Sequence, residues 1–119
     1  MAFSKARLYS RRSRITALLF RVFGHPARLD ILEQLADGGP VPVEKLAKNH
    51  PISLATLSRH LGSLRGPDFV KYLEDHPHIL YSIEKKNILR ARKYINAFFD
   101  RLEELMAKRE RNESYKNQG

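Results

Sequence analysis

The sequence predicts a mainly α-helical single domain with one small β-hairpin, and three observations carry that expectation. Apolar residues recur at three- and four-residue steps through most of the chain, as in helices with one buried face. One stretch, Phe69 to Ile83, instead concentrates β-favouring residues: Phe69, Val70, Tyr72 and Leu73, then Ile79, Leu80, Tyr81 and Ile83. Between the two patterns, Glu44 to Arg65 reads as two short helices separated by Asn49, His50 and Pro51, because Pro51 biases His50 away from helical dihedrals. At 119 residues the chain is long enough for one core without staples.

Taken in order, residues 1–14 form a basic arm ahead of a domain spanning residues 15–111. Lys5, Arg7, Arg11, Arg12, Arg14, Arg21 and Arg28 fall within the first 28 residues, with no acid among them. Lys and Arg number 22 against 13 Asp and Glu, a formal charge of +9 that favours a polyanionic partner. Such an arm lies on phosphate backbones with release of counterions, although a solubilising tail or an anionic-lipid patch has the same composition. Ile15 to Phe23 carries a broad helix stripe of Leu18, Leu19, Val22 and Phe23 and ends at Gly24 and Pro26. Ala27 to Asp37 gives a second helix through Leu29, Ile31, Leu32, Leu35 and Ala36, closed by Gly38, Gly39 and Pro40.

Leu46 and Ala47 supply the apolar side of a third, short helix. Ser53 then serves as N-cap of a fourth that begins at Leu54, its hydroxyl accepting from an orphan backbone N–H. Leu57, Leu61 and Leu64 share the inner face, Ala55, Arg59 and Gly62 point the opposite way, and Ser58 and Ser63 lie on the flanks. This is the layout of a helix-turn-helix DNA reader. Arg59 is expected to read guanine, with Ser53, Ala55, Thr56 and Ser58 reading or positioning bases and Leu54 against a thymine methyl. Lys45, Lys48, Arg65 and Lys71 are expected on the phosphate backbone. An ordinary solvated helix would carry the same residue types.

The hairpin that follows, joined through Glu74 to His78, sits where a wing would. His76 and His78 flank Pro77 beside Glu74 and Asp75, so the tip has little fixed positive charge. It suits a solvated turn, a DNA contact strengthened by protonation near pH 6.5, or part of a metal site short of ligands. His60 is expected to pack or bond backbone, and His25 to be structural at a helix junction. His50, in the turn, is expected to be partly exposed and within reach of phosphate.

Residues 85–111 form a long helix through Ile88, Ala91, Ile95, Phe98, Phe99, Leu102, Leu105 and Met106, uninterrupted by glycine or proline. At 1.5 Å per residue it extends roughly 40 Å, more than a domain of this size needs to cover itself. The stripe, with Leu18, Leu19 and Val22 of the first helix, is expected to pair with a second copy, the alternative being packing within one chain. Residues 112–119 form a polar tail expected to fray. The absence of cysteine excludes disulfides, thiolate metal sites and thiol sensing. No apolar run exceeds Ala17 to Phe20, no signal-like segment follows the arm, and no phosphate loop, nucleophile elbow or HExxH motif occurs. The expectation is a soluble, intracellular protein that is not an enzyme and carries no cofactor.

Three stretches, FGHPARLDILEQL (23–35), LAKNHPISLATLSRHLGSLR (46–65) and LYSI (80–83), bring a family into view. From about Arg21 to Ile83 the chain resembles the ArsR-type winged helix-turn-helix repressors of prokaryotes. The family's run of small residue, Asp or His, Pro, x, Arg, x, x, Ile, Leu falls on Gly24, His25, Pro26, Arg28, Ile31 and Leu32. Its reader signature falls on Ser53, Thr56, Leu57, Ser58, His60 and Leu61 without a gap. The resemblance implies a cytoplasmic, nucleoid-associated homodimer built through the first and last helices. It would bind an inverted-repeat operator in double-stranded DNA and block transcription until a signal releases it. Metal-sensing relatives place cysteines where this chain has Pro40, Val41, Pro42 and Val43, or Asp and His pairs on the last helix, where this chain has no histidine. Asp100, Glu103 and Glu104 suit ion pairs with neighbours such as Lys108 better than a transition metal. No metal is expected, and a small-molecule effector would leave no short motif. A weak wing tip and Gly62, where relatives place a polar or basic residue, also fit a protein-interaction module that has lost DNA reading. A peripheral protein of anionic membranes, held by residues 1–28, is the third reading.

Overall fold

The structure is a computed structural model describing residues 5–118; the first four residues of the basic arm and Gly119 of the tail lie outside the described residues. After a 3-10 turn at Lys5–Leu8, the elements are α1 (Arg11–Phe23), α2 (Pro26–Gly38), β1 (Val41–Pro42), α3 (Val43–Lys48), α4 (Leu54–Arg65), β2 (Val70–Asp75), β3 (His78–Ile83) and α5 (Lys85–Gln118). The helix α1 begins four residues before the apolar stripe does, because the Ser10 hydroxyl accepts from the Ser13 N–H and caps it. Arg11, Arg12 and Arg14 therefore ride on a helix rather than in a loose arm. Pro26 stands at the first turn of α2, where its missing N–H costs nothing, and His25 caps that helix by accepting from the Ala27 N–H. The helix stops at Gly39, whose φ of 68° and ψ of −152° belong to a region essentially reserved for glycine.

The wing has three strands rather than two. β1 pairs antiparallel with β3 (Val41 opposite Tyr81, Pro42 opposite Leu80), giving the order β1-β3-β2. β2 and β3 run in register from Val70 opposite Ile83 to Asp75 opposite His78, and a cis peptide joins His76 to Pro77 in the turn. Two residues are too few to show a period of two, and a proline fits only an edge strand, so β1 left no trace in the pattern.

Ile31 and Leu35 of α2, Leu46 of α3, Leu57, Leu61 and Leu64 of α4 and Val70 of β2 are the fully buried side chains of the main core. A smaller cluster of Leu19, Phe69 and Ala91 ties α1 and α5 to the base of the wing, with Ile15, Val22, Ile88 and Ile95 packed against it. Leu19, assigned from the stripe to an interface with a second copy, is thus consumed by the chain's own core. The helix α5 continues seven residues past Arg111, through the segment expected to fray. No glycine or proline interrupts it before Gly119, and Arg109 Nε bonds Glu113 Oε1 at 2.9 Å one turn on. No helix among the described residues is long and apolar enough to cross a membrane.

Candidate nucleic-acid interface

The helix α4 is held at both its start and its inner side. The Ser53 hydroxyl accepts from the Thr56 N–H at 3.1 Å and donates to Thr56 Oγ1 at 2.9 Å, while three leucines lock the opposite face into the core. What remains outside is Leu54, Ala55, Ser58, Arg59 and Gly62, all exposed, with Thr56 half-buried beside them. Leu54, at the first helical position, is exposed and leaves an apolar side chain free for contact. Arg59 does not project straight outward. Its Nη2 donates to Thr56 Oγ1 at 3.4 Å, so the guanidinium lies back along the helix toward α2.

The expected backbone contacts are placed unevenly. Lys45 and Lys48 stand exposed on α3. Arg65 lies over the Tyr72 ring, 4.9 Å from its centroid, a cation–π contact that fixes its direction. Lys71 Nζ is 2.7 Å from Glu84 Oε1, so its charge is already paired. At the wing tip His76 is exposed, with Nε2 4.0 Å from a Glu74 carboxylate oxygen, and His78 Nδ1 lies 3.5 Å from Glu44 Oε1 on α3. Acids accompany both imidazoles.

His50 departs from expectation. It is 7 % exposed, with Nε2 2.9 Å from Gln34 Nε2 and Nδ1 facing Asp30 at 4.0 Å, so it closes the α2–α3 seam and does not reach phosphate. His60 is buried as expected, and its Nδ1 accepts from Arg28 Nε at 3.2 Å. Burial, reinforced by His25, Arg28, Arg59 and His50, pushes its pKa below the usual 6.5. The same Arg28 donates through Nη1 to the carbonyls of Arg21 (3.3 Å) and Val22 (3.0 Å), joining the end of α1, the start of α2 and the flank of α4. The sequence places Arg28 among the positive charges of the first 28 residues and in the family's His-Pro-x-Arg run, without assigning it a partner. Its spacing after His25 and Pro26 was the available signal.

The proposed pairing face divides in two. Leu18, Phe98, Phe99, Leu102, Leu105 and Met106 are exposed, whereas Leu19, Val22, Ile88 and Ile95 pack within the chain. Phe20, overlooked in the sequence, joins the exposed set with edge-to-face contacts to Phe98 at 5.9 Å and Phe99 at 6.1 Å.

Residues 23–72 match the family model described as a helix-turn-helix domain. Among solved structures the chain is similar to an ArsR-like transcriptional regulator from Rhodococcus sp. RHA1, with 17 % identity, a TM-score of 0.68, and coverage of 83 % of this chain and 92 % of that one. It is also similar to an ArsR family transcriptional regulator at 20 % identity and a TM-score of 0.66, covering 83 % and 97 % of the two chains. NolR from Sinorhizobium fredii shares 26 % identity with a TM-score of 0.60 over 84 % of this chain and 94 % of its own. No curated protein sequence matches the chain.

Proposed function

We propose that this chain, which carries a helix-turn-helix domain on the fold of the ArsR-type regulators, is a sequence-specific DNA-binding transcriptional repressor acting as a homodimer on an inverted repeat. The observation that carries the reading is α4 itself: capped by Ser53, anchored by Leu57, Leu61 and Leu64, and exposing Leu54, Ala55, Ser58 and Arg59. A helix presenting small, hydroxylic and apolar groups on a rigid base can enter a major groove and meet base edges without reorganising.

The dimer rests on the unpartnered apolar face of α1 and α5. The chain's radius of gyration is 19.8 Å, against about 13 Å for a compact chain of this length, because α5 projects beyond the body. Pairing by a two-fold axis would cover that face and set two α4 helices about 34 Å apart, one turn of DNA. With no cysteine in the chain, the signal that releases DNA is not a thiol reaction, and an effector would be a small molecule or an ion held by other groups.

Selection of bound duplexes from a random library, with the oligomeric state measured by light scattering, tests the reading. Enrichment of an inverted repeat by a dimer is the expected result. No enrichment even at low salt would sink it and favour a winged-helix module that binds protein.

A further inference from the structure

Between the start of α2 and the flank of α4 lies an open cleft of about 380 Å³ lined by His25, Arg28, Thr56, Arg59, His60 and Ser63. Its lining has two guanidinium groups, two imidazoles, two hydroxyls and no carboxylate. Among the described residues neither arginine has an acidic partner within ion-pair distance. Two guanidinium groups sharing an open cleft with no carboxylate leave it positively charged, which favours an anion there.

The hydrogen bonds already made determine which donors remain. Arg28 uses Nε on His60 and Nη1 on the carbonyls of Arg21 and Val22, leaving Nη2 without a partner among the described residues. These three bonds also fix the direction of its fork. His25 accepts from the Ala27 N–H through Nδ1, so the proton of its neutral ring is on Nε2. Thr56 Oγ1 accepts from Ser53 and from Arg59, so its own proton is free to donate. Ser63 differs, since its hydroxyl donates to the Arg59 carbonyl at 3.1 Å. His60 accepts from Arg28 through Nδ1, so its neutral ring likewise carries a proton on Nε2; the free set is therefore Arg28 Nη2, the Arg59 guanidinium, Thr56 O–H and the Nε2–H groups of His25 and His60. All are donors, as a tetrahedral oxyanion requires.

We propose that this cleft is a phosphate seat in which Arg28, Arg59, Thr56 and His25 grip one phosphate group. Its occupant is a backbone phosphodiester of the bound duplex, which rests on the DNA-binding reading above; a free phosphate anion presents the same chemistry and is separated from it below. In the seat Arg59 grips backbone rather than guanine. Base discrimination then falls to Leu54, Ala55 and Ser58, and the seat sets how deeply α4 enters the groove.

Binding of the full chain to its selected duplex is measured by fluorescence anisotropy, with single phosphodiesters replaced in turn by neutral methylphosphonates. One position in each half-site should weaken wild-type binding about tenfold, the effect of one lost charge-assisted contact. The same replacement should cost Arg59→Ala and His25→Asn nothing further; asparagine retains the capping acceptor of α2, and circular dichroism checks that both variants fold. Arg59→Ala should weaken all duplex sequences alike and reduce the slope of log affinity against log salt by about one per half-site. In a second arm, inorganic phosphate is titrated against the DNA-free protein by phosphorus NMR at matched ionic strength. Saturable binding lost in both variants, without methylphosphonate coupling, would assign the seat to a free phosphate. If methylphosphonate coupling and phosphate binding are both absent, the seat is overturned. A selection that enriches no duplex instead defeats the DNA-binding reading, and the phosphate titration still decides the seat.

Discussion

Replacing Phe99 by alanine tests the pairing face with little disturbance to the chain's own core. Phe99 is 54 % exposed, and a phenylalanine presents on the order of 200 Å² when extended, so about 100 Å² of it meets water in a single chain. At about 25 cal/mol per Å², covering that surface stabilises by roughly 2.5 kcal/mol, or about 2 kcal/mol after allowing for the alanine methyl. A two-fold interface contains the residue twice, giving about 4 kcal/mol, equivalent to about a thousandfold in the dimer dissociation constant. Incomplete burial lowers the figure, and half of it still leaves about 2 kcal/mol, roughly thirtyfold. Sedimentation equilibrium across a dilution series measures the constant directly. Phe99 touches Phe98 at 5.2 Å and Phe20 at 6.1 Å, so the variant also loses about 1 kcal/mol of aromatic contact within the chain, visible as a small fall in Tm. Met106→Ala, exposed and outside that aromatic cluster, separates the two effects: it weakens the dimer but leaves the Tm of the dissociated chain, measured at high dilution, unchanged. A wild-type protein that sediments as a monomer, or a Phe99→Ala dimer within about threefold of wild type, would refute the reasoning.

Three further outcomes follow from the local structure. Ser53→Ala removes the acceptor for the Thr56 N–H and should lower stability by about 1 kcal/mol in urea titration, with a larger loss of DNA affinity because the frayed turn carries Leu54 and Thr56. Gly39→Ala meets no neighbour within 4 Å, yet should destabilise by about 1–3 kcal/mol because its φ of 68° with ψ of −152° strains any side chain. The His60 pKa is lowered by folding, so the unfolded chain binds the proton more tightly, and stability present above pH 6.5 is lost as pH falls through the folded value. His60→Gln, which can still accept from Arg28, should flatten that acid limb in denaturation curves measured at successive pH values.

The helical elements were legible because each buries one face over several turns, and Leu57, Leu61 and Leu64 recur at the helical spacing on the way into the core. Their caps were partly legible too: Ser53 stands at the residue before α4 and accepts as its type suggests. What the pattern does not contain is partnership across the chain. Leu18 and Leu19 lie on one stripe, yet Leu19 meets Phe69 and Ala91 while Leu18 stays in water, a difference set by where the wing base docks. Arg28 looked like one more positive charge in a basic N-terminal region, and only the meeting of α1, α2 and α4 gives it three acceptors. β1 is too short for any period, and α5 passed its expected end because polar residues with good helix propensity do not mark a stop.

The placement of Arg59 alters where specificity can arise. Its guanidinium leans toward Thr56 and the cleft beside α2. Of the remaining outer face, Ala55 and Gly62 have no donors or acceptors in their side chains, leaving Ser58 as the exposed polar group and Leu54 as the apolar one. In the proposed complex each half-site would be read by few direct contacts, each worth only about 1–3 kcal/mol. In the proposed dimer, discrimination among duplexes would draw on two half-sites at one fixed separation, set by the pairing faces of α1 and α5 and not by α4. Changing the spacer between half-sites by a single base pair, which shifts and rotates one reader relative to the other, should therefore cost more affinity than changing any one base within a half-site. The reverse order, with one base dominating and spacing tolerated, would return Arg59 to the role of guanine reader.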